Sequence, residues 1–288
     1  MSTPQPVPST PALPEKEGKP QPGPKVMLMG DSGAGKTTVL RTLIDAGITP
    51  FVISTEQNSL QVLNSFPKGK YHYKFISPVP ADDWDKALDM MTKVNNLSYD
   101  LLTKVSDPFK QAHNKLLEVM TTCRNFVSDV DGVSYGDASK WGTDRALVLD
   151  SLSGLSDMAF ALVVGNKPVR AMPDYQVAQQ SLRMLLNICV TIRPTFILIA
   201  HLSREKDEIT GGTTITASTV GQKLGPDLPR MFSDVIRAKR EGTVYKWDTA
   251  DSQAIVVGRH LATSQNLPAD FRPLINEWVK KGGVIAPA

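Results

Sequence analysis

The sequence predicts an α/β protein built on a mainly parallel central sheet, and three observations predict it. Short apolar runs that end in polar residues alternate with stretches of helical spacing. A glycine-rich stretch, GDSGAGKTT at residues 30–38, stands between one such run and one such helical stretch. The chain has 288 residues, 41% hydrophobic and 21% charged, which is ordinary globular usage and enough to bury a sizeable core.

The elements follow in order. Residues 1–24 carry eight prolines and almost no large apolar side chains, which predicts a flexible Pro-rich tail: a solvated leader, or a polyproline segment able to dock a partner. From Lys25 a single domain, 25–288, is expected. VMLM suits a buried parallel strand, TTVLRTLIDAG has helical spacing closing at Gly47, and TPFVISTE, residues 49–56, reads as a second strand with a polar end.

A helical insertion is expected at about 82–140. Trp84, Leu88, Met91 and Val94, then Leu101, Leu102 and Val105, recur at helical intervals. Asp107 and Pro108 read as the N-cap and first-turn proline of another helix running through Phe109, Ala112, Leu116, Met120 and Cys123. RALVLDS, residues 145–151, is a strand that stops at an acidic residue. A helix follows around YQVAQQSLRMLLNICVTI, with Val177, Leu182, Leu185, Leu186 and Cys189 on its apolar side, and TFILIAH, residues 195–201, is an apolar strand with a polar terminus. Residues 203–230 have little apolar periodicity and four glycines, and read as a long loop. DVIRAKREGTVYKWDTADSQAIVVGRHL supplies C-terminal β-hairpin strands with a turn at Glu241-Gly242. In such a sheet the functional site lies beyond the carboxyl ends of the strands.

Composition narrows the classes. A net charge of +3 gives no general affinity for a phosphate backbone, so any basic surface must be local. Cys123 and Cys189 are far apart in sequence, with no CxxC and no His pair, so neither a zinc site nor a disulfide framework is expected, only two reduced, buried thiols. No run of about 18 apolar residues and no signal-peptide layout occur, so the expectation is a soluble cytoplasmic protein without membrane contact.

GDSGAGKT fits the phosphate-loop pattern GxxxxGK[ST] in its required context, strand before and helix after. Gly30, Gly33 and Gly35 let backbone N–H groups turn inward around phosphates, with Asp31, Ser32, Ala34 and Thr38 completing the loop. Lys36 is expected to neutralise the β- and γ-phosphates of ATP, and Thr37 to place its hydroxyl on Mg²⁺. Asp150, ending its apolar strand, is the second expected Mg²⁺ residue. Hydrolysis needs a group that orients or deprotonates water, and Glu56 stands where a carboxylate would face the γ-phosphate. His201 stands where a polar side chain would sense that phosphate and pass its presence to the following loop. NKPV at residues 166–169 lacks the aspartate of the guanine-reading NKxD, which disfavours GTP. The long Gly/Thr segment is a poor lid for a small-molecule kinase.

The order GDSGAGKT, STE, LVLDSLSGL, ILIAH resembles the RecA-type core of recombinases and hexameric helicases, over roughly residues 25–265 outside the insertion. More narrowly it is similar to the RecA-like ATPases encoded by bacteriophages, whose better-known members act in single-strand annealing and recombination. The resemblance implies a RecA-like P-loop NTPase core, with Glu56 at the family's catalytic glutamate. His201 falls at its sensor position, where recombinases often place glutamine. It implies DNA-binding loops at GNKPVRAMPDY, residues 165–175, and after His201. Lys167, Arg170, Arg204, Lys206 and Lys223 are placed there to meet phosphates, opposed by Asp207 and Glu208, with no aromatic stacking platform evident. It also implies a homo-oligomer, ring or filament, with a basic residue reaching the neighbouring subunit's site. Arg237, Lys239, Arg240 and Arg259 are the candidates, and no paired basic motif singles one out. The expected function is Mg-dependent ATP turnover coupled to single-stranded DNA in phage recombination or replication, in the host cytoplasm. The alternatives are a ring-forming, helicase-like motor, or an ATP-controlled module acting on a protein through the tail or insertion.

Overall fold

Period-two alternation of large apolar side chains builds a sheet with a core on each face. In the computed structural model, residues 21–79, 83–95, 113–165, 170–206, 212–221 and 223–288 are described. In strand β1 (Lys25–Gly30), Met27 and Met29 join one core and Val26 and Leu28 the other. The same alternation divides Phe51 and Ile53 from Val52 in β2 (Thr49–Ser54). After β3 (His72–Phe75) it recurs in β4 (Arg145–Asp150), with Leu147 and Leu149 opposite Val148. In β5 (Thr195–Ala200), Phe196 and Leu198 stand opposite Ile197 and Ile199. Each such side chain, fully buried, contributes on the order of 1.5–3 kcal/mol.

Strands β6 (Leu202–Lys206) and β7 (Thr213–Ala217) form a separate antiparallel hairpin. The main sheet is completed by β8 (Asp234–Glu241), β9 (Val244–Asp248), β10 (Val257–Gly258) and β11 (Leu267–Pro268). Its order is β11-β9-β8-β1-β5-β4-β2-β3, with β10 pairing to β8. The six strands from β8 to β3 are parallel, and β9, β10 and β11 are antiparallel additions. A mainly parallel sheet with C-terminal hairpin strands is therefore what the chain forms. Because β5 lies between β1 and β4, the carboxyl ends of β1, β5, β4 and β2 come to one edge in that order.

Helices α1 (Arg41–Asp45) and α2 (Gln57–Leu63) pack Leu43 and Leu63 into the Val26 core. Helix α3 (Trp84–Asn95) leaves Trp84, Leu88 and Met91 exposed at 90%, 66% and 71%. Helices α4 (Lys115–Arg124), α5 (Leu152–Val164) and α6 (Met172–Thr191) cover the Met27 face. Pro173 stands in the first turn of α6, and the Asp174 carboxylate accepts the Ala171 N–H at 2.8 Å, so that start is capped. A short helix, α7 (Leu224–Asp227), follows the hairpin, and α8 (Arg272–Lys280) returns Leu274, Ile275 and Trp278 to the Val26 core. Among the described residues no helix is long and apolar enough to cross a membrane.

Two expectations change. Residues 203–230 are not one long loop: they hold most of the β6–β7 hairpin, α7 and a 3-10 turn at Leu228–Met231. The inward residues Ile215 and Ala217 alternate with threonines, a pattern too short and polar to register as a strand. Between α4 and β4 the chain is a turn-rich segment with a bridge between Val127 and Ser134 and one short 3-10 turn at Ala138–Lys140, in place of continuous helix. The expected helix start at Asp107-Pro108, Leu101, Leu102 and Val105, and residues 1–20 of the Pro-rich tail lie outside the described residues.

Candidate nucleotide site at the carboxyl ends of the strands

The loop after β1 turns through Gly33 at φ 76° and Gly35 at φ 78°, left-handed conformations that glycine adopts without steric cost. A Cβ at Gly35 would meet the Tyr245 ring at 2.6 Å, so this glycine also lets β9 close over the loop; beside Gly33 no atom of the described residues lies within 4 Å of that position. Lys36 is only 7% exposed, and its Nζ donates to the carbonyls of Gly30 at 2.9 Å and Asp31 at 2.8 Å. Burial lowers the pKa of this ammonium, against the raising influence of Asp150, Glu56 and Asp31.

Asp150 ends β4 and is 2% exposed. Its Oδ2 accepts the Thr37 hydroxyl at 2.7 Å and the Ser59 hydroxyl at 3.0 Å. Burial raises its pKa and the nearby Glu56 charge adds to that, while the two hydroxyls oppose it. Glu56 stands at the N-cap of α2 just past β2. Its Oε1 lies 2.8 Å from His201 Nε2 and accepts the Ser151 hydroxyl. The His201 hydrogen bond, with help from Ser151, holds its pKa below the usual carboxylate value. The structure thus brings Lys36, Thr37, Asp150, Glu56 and His201 around one cleft of about 150 Å³, together with Ser32, Gly33, Gly35 and Thr38.

Reading the sequence had missed Ser59, Ser151, Asn58 and Val62. Ser59 lies three residues beyond Glu56 on α2, the spacing that shares a helix face, and Ser151 directly follows Asp150; those two offsets were the available signals.

The donor set fits ATP with Mg²⁺. One hydroxyl and one carboxylate oxygen, Thr37 Oγ1 and Asp150 Oδ2, are hard donors already side by side. Among the described residues no group of three or more His, Cys, Asp or Glu could hold a metal alone. That matches an ion that completes its shell with phosphate oxygens and water. The open Gly33 side of the loop and the Lys36 ammonium fit an anion there.

A second feature adjoins the cleft. Arg204 on β6 forms a two-pronged salt bridge to Asp31, at 2.9 and 2.5 Å, tying the hairpin to the phosphate loop and lowering the Asp31 pKa. The Ser218 N–H donates to the His201 carbonyl at 2.8 Å, closing the hairpin's other end onto the same residue.

Beside it a polar cavity of about 210 Å³ is lined by Ser156, Asp157, Arg170, Tyr175 and residues Ser218 to Gly221. Phe160 and Tyr175 stack at 4.7 Å, and the Arg170 guanidinium lies 4.9 Å from the Phe160 ring centre. Both stacked aromatics sit on helices beside the first loop segment, Phe160 on α5 and Tyr175 on α6. The Ser156 hydroxyl is buried there with no hydrogen-bond partner among the described residues. Lys206 ends β6 and Lys223 precedes α7, while Lys167, Asp207 and Glu208 lie outside the described residues.

Of the four candidate intersubunit cations, Arg237 pairs with Asp251, and Lys239 pairs with Asp248 at 3.0 Å and Glu241 at 3.4 Å. Arg240 and Arg259 are exposed, and Arg240 stacks on Tyr245, whose ring covers Gly35.

The parallel sheet, the glycine loop before Lys36 and the buried Asp150 define a P-loop nucleotide-binding core. Residues 22–266 match the AAA domain family AAA_24, and the chain belongs to that family. Among curated proteins no sequence matches. Among solved structures the chain is similar to a prototypical ATPase from the type III secretion system of pathogenic bacteria, at 15% identity and a TM-score of 0.40; the match covers 76% of this chain and 53% of that one. It is also similar to the flagellar accessory protein FlaH from Methanocaldococcus jannaschii, at 13% identity and a TM-score of 0.34, over 80% of this chain and 78% of that one. The chain spans about half the length of the secretion ATPase chain.

Proposed function

We propose that the protein hydrolyses Mg-ATP in this cleft and couples turnover to single-stranded DNA held beside the β6–β7 hairpin, in phage recombination or replication within the host cytoplasm. The observation that carries the proposal is the placement of Glu56. Its carboxylate, kept ionised by His201 and Ser151, faces the cleft that holds Lys36, Thr37 and Asp150. Gly30, Asp31, Ser32, Gly33, Ala34, Gly35 and Thr38 form the loop that surrounds the phosphates. Lys36 exchanges the carbonyls of Gly30 and Asp31 for phosphate oxygens. Thr37 and Asp150 hold Mg²⁺, which when bound neutralises charge on those oxygens. Glu56 orients a water and takes its proton. His201 links Glu56 to the hairpin, since a shift of its ring moves the carboxylate and a shift of its backbone moves Ser218.

The DNA reading rests on the second cavity. A stacked aromatic pair, an arginine over it, a spare hydroxyl and a run of backbone groups from Ser218 to Gly221 suit an unpaired base and its phosphate. The exposed Arg240 is the intersubunit cation this arrangement favours in a homo-oligomer, ring or filament. Single-strand binding measured by fluorescence anisotropy tests the reading. Arg170→Glu is expected to weaken binding at least about tenfold by replacing an attractive charge with a repulsive one. Unchanged affinity would remove the cavity from the DNA path.

The exposed Trp84, Leu88 and Met91 on α3 favour a second reading, an ATP-controlled module acting on a protein partner. DNA-independent turnover that responds to α3 substitutions would support it.

A further inference from the structure

At the amino ends of β4 and β5, away from the nucleotide cleft, lies a cavity of about 440 Å³. Leu147, Leu185 and Ile192 give it an apolar wall, and both cysteines of the chain line it. Cys123 sits in the last turn of α4 and is half-buried, whereas Cys189 sits in the last turns of α6 and is buried. Both thiols face this one cavity, although 65 residues separate them in the sequence, and Cys123 is the first cause of the raised Cys189 pKa. Lys25 stands close by. Its ammonium is fixed by the carbonyls of Ile192 at 2.7 Å and Pro194 at 2.5 Å, near enough to Cys189 for their charges to interact.

We infer that Cys123 and Cys189 form a reversible dithiol–disulfide site that reacts with small-molecule disulfides and, when oxidised, ties α4 to α6. The two sulfurs divide the roles by exposure. Cys123, open to the cavity mouth, loses its proton to solvent and attacks one sulfur of a reagent such as oxidised glutathione. That S–S bond breaks, a glutathione thiolate leaves and takes up a proton, and a mixed disulfide remains on Cys123. Cys189 then attacks the Cys123 sulfur, and its proton passes to the second departing glutathione. One protein dithiol and one oxidised glutathione thus become one protein disulfide and two reduced glutathiones. The Lys25 charge favours the Cys189 thiolate as it forms. Left to itself that thiol is unreactive, since Cys123 and then burial raise its pKa well above the ordinary range. Resolution of a mixed disulfide on Cys123, not first attack, is the step its position serves.

The test exposes the native full-length chain to oxidised glutathione and follows intact mass, free thiols and the proteolytic map. The expected product is a monomer lighter by two hydrogens, with the Cys123 and Cys189 peptides joined and full reversal by dithiothreitol. Cys189→Ser is expected to stop at a glutathione adduct on Cys123. A stable adduct on Cys123 in the wild-type chain, two thiols that stay free, or cross-links between chains would each overturn the inference. Phenylarsine oxide, which bridges two close thiols, gives a second measurement on the unmutated protein. One arsenical per chain with both thiols lost is expected, and no uptake would contradict the pairing.

Discussion

The two ends of the central strands carry opposite chemistry. At their carboxyl ends, ionisable groups are desolvated and engaged with one another: Asp150 with Thr37 and Ser59, Glu56 with His201 and Ser151, Lys36 with loop carbonyls. At their amino ends, a largely apolar cavity is lined by two thiols, with Arg124 and Asp137 at its wall, and the buried ammonium of Lys25 is held nearby on the carbonyls of Ile192 and Pro194. The six residues of β5 separate the two, roughly 20 Å at about 3.3 Å per residue. The difference teaches how a site is prepared for a charged substrate. On the proposed function, the hydrogen bonds these groups make to one another are the ones that phosphate and metal would replace, so binding would exchange partners without first creating them. The apolar end offers no such exchange, and its chemistry is that of the sulfurs.

Substitutions can break this comparison, beginning with the largest effect. Lys36→Ala is expected to abolish tight ATP binding and reduce turnover at least about 100-fold, because among the described residues no other lysine or arginine lines the cleft. Hydrolysis by the purified variant at the parent rate would move the site elsewhere. Glu56→Gln keeps the loop and metal residues, so nucleotide binding by equilibrium dialysis should stay near the parent value. Turnover should fall by about 100- to 10,000-fold. A glutamine variant as active as the parent would mean that another group positions the water.

The smallest effect belongs to the opposite end and concerns stability. Burial lowers Lys25 from 10.5 to about 8. Between those values the unfolded chain binds a proton that the folded chain does not, so this group's contribution to stability rises as the pH increases through that window. It amounts to at most about 3 kcal/mol. Urea unfolding at pH 8 and pH 10 should therefore show the parent gaining relative to Lys25→Met as the pH rises. A difference between the two proteins that does not change with pH would show that Lys25 titrates in its ordinary range. ATP turnover by Lys25→Met is expected to stay within about twofold of the parent if the two ends are independent.

The parallel sheet was legible because buried strands must be apolar throughout, and VMLM, ALVL and FILIA have few other uses. The phosphate loop was legible because glycine adopts the left-handed backbone angles at positions 33 and 35 without steric cost, and those glycines stand at fixed offsets from Lys36 and Thr37. The carboxyl-end residues followed from those strands, since whatever ends a parallel strand projects to one edge. Four features were hidden. The β6–β7 hairpin buries only alternate small and medium side chains, Ile215 and Ala217, among threonines. The Phe160–Tyr175 platform joins two helices, one of them unread in the sequence. The thiol pair arises only when α4 and α6 pack on the same sheet face, which no local pattern reports. Strand β3, reading HYKF, was likewise too polar to stand out.

The most direct test of coupling between cleft and hairpin is steady-state ATP hydrolysis without nucleic acid, with single-stranded DNA and with duplex, using Lys36→Ala as the blank. Stimulation by single strands and not by duplex is the expected result, with loss of the stimulation in Arg170→Glu. Robust turnover indifferent to DNA would contradict the proposed function and direct attention to a protein partner at the exposed face of α3.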